Sequence, residues 1–209
     1  MGHALSRLPR LSKREGGGKV IKRTVPLIII VILSFAVKLV LILKYGNLLT
    51  LDSDDLNYIK SAVMLLEKGV FVFHNFNEPT VFIMPLYPAF LAAVFKVFGC
   101  GFAGLQAVRI IQAALSCAAV VLIFLTGKEL FDRNVGLAAS LLVAFYIPNI
   151  ITTGYILTET LFISMLCLLV YLSLIFSGSP ALWKFFLLGA VWASAVLIRP
   201  TIALYPFML

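Results

Sequence analysis

From Val25 to Leu43 every residue is apolar except Ser34 and Lys38. A helix of that length approaches the ~20 residues needed to cross ~30 Å of hydrocarbon. Four later apolar runs, near residues 105–126, 135–152, 160–177 and 183–199, predict four more crossings. Residues 46–103 read differently. Leu56, Ile59, Val63 and Leu66 recur at helical spacing with Asp55, Asn57, Lys60 and Glu67 between them. That pattern predicts an amphipathic helix on the membrane surface, started by the Asp52–Asp55 cluster as N-cap and closed by Gly69. Met84–Phe98 is apolar too, but Pro85 and Pro88 open it and Lys96 marks its end. It is short for a crossing, and whether it crosses decides the orientation of everything after it.

Charge resolves the orientation. Residues 1–23 carry Arg7, Arg10, Lys13, Arg14, Lys19, Lys22 and Arg23 against Glu15 alone, which reads as a cytoplasmic tail. If Met84–Phe98 does not cross, Lys128, Arg133 and Lys184 also fall on the cytoplasmic side, as positive-inside bias requires. The reading is therefore an all-α polytopic bundle of about five spans in the plasma membrane, with its N-terminus in the cytoplasm. Residues 46–103 form an extracytoplasmic loop with membrane-surface helices, and Lys38 snorkels toward the outer interface.

Composition supports a bilayer as solvent. The 209 residues are 62% apolar and 12% charged, and mean hydropathy is +1.07. A soluble domain is nearer half apolar and a quarter charged. The formal net charge of +8 comes mainly from the tail, so it speaks for orientation rather than for nucleic acid. Cys100, Cys117 and Cys167 follow no metal-ligand or disulfide spacing and read as small core residues. The sequence is still apolar at Leu209, as in the front part of a longer protein.

Few residues could carry chemistry. Asp52, Asp54 and Asp55 lie at the exit of the first span, either as a capping cluster or as a source of a general base. Glu159 starts a span, where it contacts interfacial water or a polar ligand. Arg199 follows a long apolar run and precedes Pro200, so its guanidinium needs a partner: a phosphate, Glu159 or the interface. Arg109 is either an interfacial anchor, the favoured reading, or a second anion contact. His74 reads as a solvated loop residue, with no metal site assigned. The chain has no phosphate-binding loop, dinucleotide fingerprint or zinc motif.

The order of these features resembles the type C glycosyltransferase superfamily, in particular its bacterial branch related to dolichyl-phosphate-mannose protein mannosyltransferases. The likeness rests on Asp54-Asp55-Leu56-Asn57-Tyr58 with Ala62, on Met84-Pro85-Leu86-Tyr87-Pro88 and on Arg109-Ile110-Ile111-Gln112. Gly127-Lys128-Glu129-Leu130-Phe131, Leu157-Thr158-Glu159 and Ile198-Arg199-Pro200 complete it. The acidic pair is Asp-Asp where Asp-Glu is usual. Residues 24–209 would then be the N-terminal part of a transmembrane glycosyltransferase domain. The resemblance implies a polyprenyl- or dolichyl-phosphate sugar as donor and a lipid or protein acceptor on the extracytoplasmic face. It further implies inverting transfer of a hexose or pentose, with Asp54 as base and Asp55 its acidic neighbour. Glu159 would orient sugar or acceptor, Arg199 would hold the lipid phosphate, and Tyr58 and Arg109 are further substrate contacts. No cofactor is implied, and a divalent metal is left open. Two other readings fit the same charges: a carrier or transporter for a lipid-linked sugar or small solute, and a non-catalytic membrane subunit.

Overall fold

A computed structural model describes residues 17–75, 77–80, 82–178 and 181–208, with side chains from residue 24. Among the described residues the chain is all-helical, as its periodicity predicts. The helices are α1 (Gly17–Tyr45), α2 (Asp54–Lys68), α3 (Leu86–Phe98), α4 (Phe102–Leu130), α5 (Arg133–Ala144), α6 (Ile147–Thr152), α7 (Glu159–Phe176) and α8 (Leu182–Val196), with short 3-10 turns at 46–48, 200–202 and 205–208. Of the tail read over residues 1–23, residues 1–16 lie outside the described residues, and Gly17 already begins α1.

Among the described residues, three helical stretches are long and apolar enough to cross a membrane: Thr24–Leu48, Phe102–Leu130 and Glu159–Phe176. The run at 135–152 is not one helix. It breaks between α5 and α6, where Tyr146 is extended and Pro148 opens the next turn. Proline lacks the N–H that a continuous helix needs, and its ring would clash with the carbonyl four residues earlier, that of Ala144. The run at 183–199 yields α8, fifteen residues long, or about 22 Å at 1.5 Å per residue. Likewise α3 has thirteen residues and spans about 20 Å. It packs between α2 and the first turns of α4 and buries Tyr87, Leu91, Val94 and Phe95.

The outer faces carry the apolar surplus. Ile28, Ile32, Val40 and Leu43 on α1, and Leu182, Phe185 and Phe186 on α8, are all exposed. So much exposed apolar surface marks a lipid-facing wall. Inside, α4 is the pivot, touching α1, α3, α5 and α7. It meets α5 through facing glycines: a Cβ added at Gly136 would lie 2.6 Å from the Phe124 carbonyl oxygen. Small residues are what let membrane helices approach this closely.

Two expectations are corrected inside the bundle. Lys38 does not snorkel: it is fully buried, its ammonium donating to Ser34 Oγ at 2.8 Å, and Ser34 donates in turn to the Ala144 carbonyl at 3.1 Å. Lys38 lies one turn from both Ser34 and Ile42 on the buried face of α1, so its stem is directed inward. Cys100 is exposed in the turn between α3 and α4, whereas Cys117 is buried and Cys167 partly so.

Candidate functional site

The helix directions bring one set of termini together. The C-terminal end of α1, the N-termini of α2, α4 and α7, and the C-terminal end of α8 share one end of the bundle. Gln106 of α4 donates to the Ile42 carbonyl of α1 at 3.3 Å, and Leu86 N–H donates to the Leu197 carbonyl at 3.1 Å. Lys128, Arg133 and Lys184 lie at the opposite end, where α4 stops and where α5 and α8 start.

A polar stripe on α4 builds the frame of the site. Gln106, Arg109, Gln112 and Ser116 are spaced three, three and four apart, which aligns them on one helix face. Arg109 is 4% exposed and donates to three oxygens: Gly154 O at 2.9 Å, Leu49 O at 3.1 Å and Gln106 Oε1 at 3.2 Å. Gln112 donates to Thr153 O at 3.1 Å and Tyr155 O at 2.8 Å, and accepts from the Tyr87 hydroxyl at 2.8 Å. Three successive carbonyls of the non-helical segment before α7 are thus satisfied by two side chains. Without water nearby, irregular backbone at this depth needs such partners. Ser116 extends the frame to Asn149 Oδ1 at 3.1 Å.

Asp54 and Asp55 are neighbours with different surroundings. Asp55 is 1% exposed and accepts from Thr50 Oγ1 at 2.7 Å, Leu51 N at 2.8 Å and Ser53 N at 3.0 Å. Burial pushes its pKa upward. The bonds from Ser53, Leu51, Thr50 and Leu56 outweigh that, so the carboxyl lies below the ordinary aspartate value. The Ser53 side chain at the cap position makes no bond to α2, and Asp55 instead ties down the turn before the helix. Asp54 is exposed and has no hydrogen-bond or ion-pair partner among the described residues. Asp52 sits in the left-handed region at φ 51° and bonds only within its own turn, to Thr50.

A cavity of about 160 Å³ opens beside Tyr58, one helical turn after Asp54. Tyr58, Phe73, Phe82, Thr158 and Arg199 line it, with Met84 and Pro200 at its edge. Arg199 donates through Nε to Thr158 Oγ1 at 2.9 Å and through one terminal nitrogen to Glu159 Oε1 at 2.5 Å, and its guanidinium lies 5.9 Å from the Phe162 ring centre. The other terminal nitrogen has no partner among the described residues. Glu159 Oε2 is buried and unpartnered. Tyr58 stands edge-on to Tyr87 at 5.1 Å. Burial first, and then the charge of Asp54, raise its phenol pKa, while Thr158 and Arg199 pull it partly back.

Of the residues singled out from the sequence, Tyr58 and Arg199 line the cavity, Glu159 is paired to Arg199, and Asp54 does not line it but acts electrostatically on Tyr58. Asp55 and Arg109 do not line it. Both are buried and bonded to loop backbone. His74 lies at the rim, 4.4 Å from the Phe73 ring and 5.8 Å from Phe82. No group of three potential metal ligands occurs among the described residues. Gln112, Thr158 and Tyr87 entered the sequence reading only as parts of motifs, with no site role of their own. The signal for Gln112 was available as the Gln106, Arg109, Gln112, Ser116 spacing in an apolar helix.

A family model for dolichyl-phosphate-mannose-protein mannosyltransferase matches residues 77–209. The match takes in Arg109, Glu159 and Arg199, while α2 with Asp54 and Asp55 precedes it. No curated protein and no solved structure matches the chain.

Proposed function

The chain belongs to the dolichyl-phosphate-mannose-protein mannosyltransferase family, and from that premise we propose that it transfers a sugar from a polyprenyl- or dolichyl-phosphate donor to a lipid or protein acceptor. The observation that carries the reading is the pairing of a free carboxylate with a cationic cavity. Asp54 is exposed and unpartnered one helical turn before Tyr58, which lines a recess together with Arg199 and Thr158.

In this reading Asp54 takes the proton from an acceptor hydroxyl, within the reach a general base requires. The oxygen attacks the anomeric carbon from the face opposite the phosphate. The bond from that carbon to the phosphate oxygen breaks as the new glycosidic bond forms, with inversion. The lipid phosphate leaves with the negative charge, and the free terminal nitrogen of Arg199 stabilises it in a preorganised position. The unpartnered Glu159 Oε2 accepts from a hydroxyl of the sugar or acceptor. Asp55 and Arg109 serve the frame rather than the substrate. A separate apolar cavity of about 320 Å³, walled by Leu169, Phe185, Trp192 and Tyr205, could take part of a prenyl chain. The site end faces away from the cytoplasm, a placement supported by Lys128, Arg133 and Lys184 at the other end.

The test is transfer from radiolabelled polyprenyl-phosphate mannose in sealed vesicles whose site-bearing face is accessible. Unaltered protein should convert the donor and Asp54→Asn should not, although it inserts normally. Normal conversion by Asp54→Asn would remove the base assignment. A water-open route through the unaltered protein, without donor consumption, would favour a carrier instead.

A further inference from the structure

We propose that Arg109 is a positioning residue that holds the loop bearing Asp54 and the loop leading to Thr158 and Glu159 at a fixed separation. The proposal rests on the glycosyl-transfer reading above. Its geometry does not.

The two halves of the site come from segments far apart in sequence. Residues 49–53 lead into α2 and Asp54, while residues 153–158 lead into α7 and Glu159. A single guanidinium bonds both, Nη2 to Leu49 O and Nε to Gly154 O. The loops also touch directly. A Cβ at Gly154 would lie 2.6 Å from Leu49 Cδ1 and 3.0 Å from Leu41 Cδ2, so any side chain there would have to push the end of Leu49 aside. Asp55 completes the clamp from the other side of the first loop, accepting from Leu51 and Ser53 N–H while Arg109 takes the Leu49 carbonyl. The second loop has a parallel arrangement: Gln112 holds Thr153 O and Tyr155 O on either side of the Gly154 carbonyl.

The planar fork is what makes this possible. Arginine presents donors in several fixed directions, whereas a lysine ammonium is a compact point charge at the end of one stem. Arg109→Lys therefore keeps the cation and loses the bridge. A residue that contacts donor phosphate would tolerate that change far better than one that spans two loops.

The experiment uses the full chain in lipid nanodiscs, comparing unaltered protein with Arg109→Lys and Arg109→Gln, each checked for a monodisperse, cooperative melt. Amide hydrogen exchange is followed in residues 49–53 and 153–158, and kcat and KM are measured with polyprenyl-phosphate mannose. The expected result is faster exchange in both loops, with kcat lowered about 100-fold, the scale of a 1 Å misplacement, and donor KM unchanged. Near-normal kcat in Arg109→Lys, a rise in donor KM with kcat preserved, or loosening of only one loop would overturn the proposal. If unaltered protein transfers no sugar, the reaction assignment fails, and exchange alone decides whether Arg109 couples the loops. Arg109→Gln lacks a buried charge and gives the same reading should the lysine variant not assemble.

Discussion

Arg109 and Arg199 stand at the same end of the bundle, one in the frame and one in the cavity. Arg109 is 4% exposed and faces only fixed oxygens of the protein. The Arg199 side chain is 39% exposed, shares one carboxylate oxygen of Glu159, and keeps one terminal nitrogen open. Asp55 and Asp54 repeat the contrast among the acids. In each pair one member has its polar capacity consumed mainly by backbone and the other keeps part of it open. Residue type alone does not separate them. What separates them is whether the surrounding chain has already satisfied the group, since a buried polar group left unpaired is costly and one already paired has nothing to offer.

Substitutions can break this contrast, starting with the largest expected effect. Arg199→Gln should lower transfer about 100- to 1000-fold, as for loss of an oxyanion donor, and barely move the melting temperature. A lower melt with normal initial rates would exchange the roles assigned to the two regions. Gly136→Ala lies outside both regions. Its methyl meets backbone at 2.6 Å, and the clash should cost about 1–3 kcal/mol of stability by overpacking. Thermal unfolding should register it, while the rate per folded molecule stays unchanged.

Asp55 sharpens the comparison through pH. Its carboxyl is lowered in the folded state, so its stabilising contribution is complete above the unfolded value of about 3.9 and is lost as pH falls through the folded pKa. Asp55→Asn should flatten the acid limb of a stability-against-pH curve. The smallest effect belongs to Tyr87→Phe. It deletes one buried hydrogen bond to Gln112 and should cost about 1 kcal/mol without changing transfer.

Much of the frame could be read from periodicity and much of the site could not. The helical class, the amphipathic α2 and its stop at Gly69 all follow from local pattern, and Gly69 adopts φ 70° with its N–H on Leu65 O. Pro148 carried the signal for the break between α5 and α6, yet hydropathy averaged across it. Asp54 and Asp55 were legible as a pair. Their division of labour was not, because Asp55 turns back on Leu51 and Ser53 through a loop geometry that no spacing encodes. Lys38 likewise required knowledge of the facing helix: its partner Ser34 is local, but the carbonyl behind Ser34 belongs to Ala144. Glu159 and Arg199 are forty residues apart, and each marked itself by being charged in apolar sequence.

The most direct measurement is transfer from polyprenyl-phosphate mannose by Asp54→Asn and Asp55→Asn side by side, with melting curves on the same preparations. The account predicts loss of transfer by at least about 100-fold, the lower range for a general base, in Asp54→Asn with an unchanged melt. In Asp55→Asn it predicts a lowered melt and residual transfer. Full activity in Asp54→Asn, with transfer abolished in a stably folded Asp55→Asn, would contradict it.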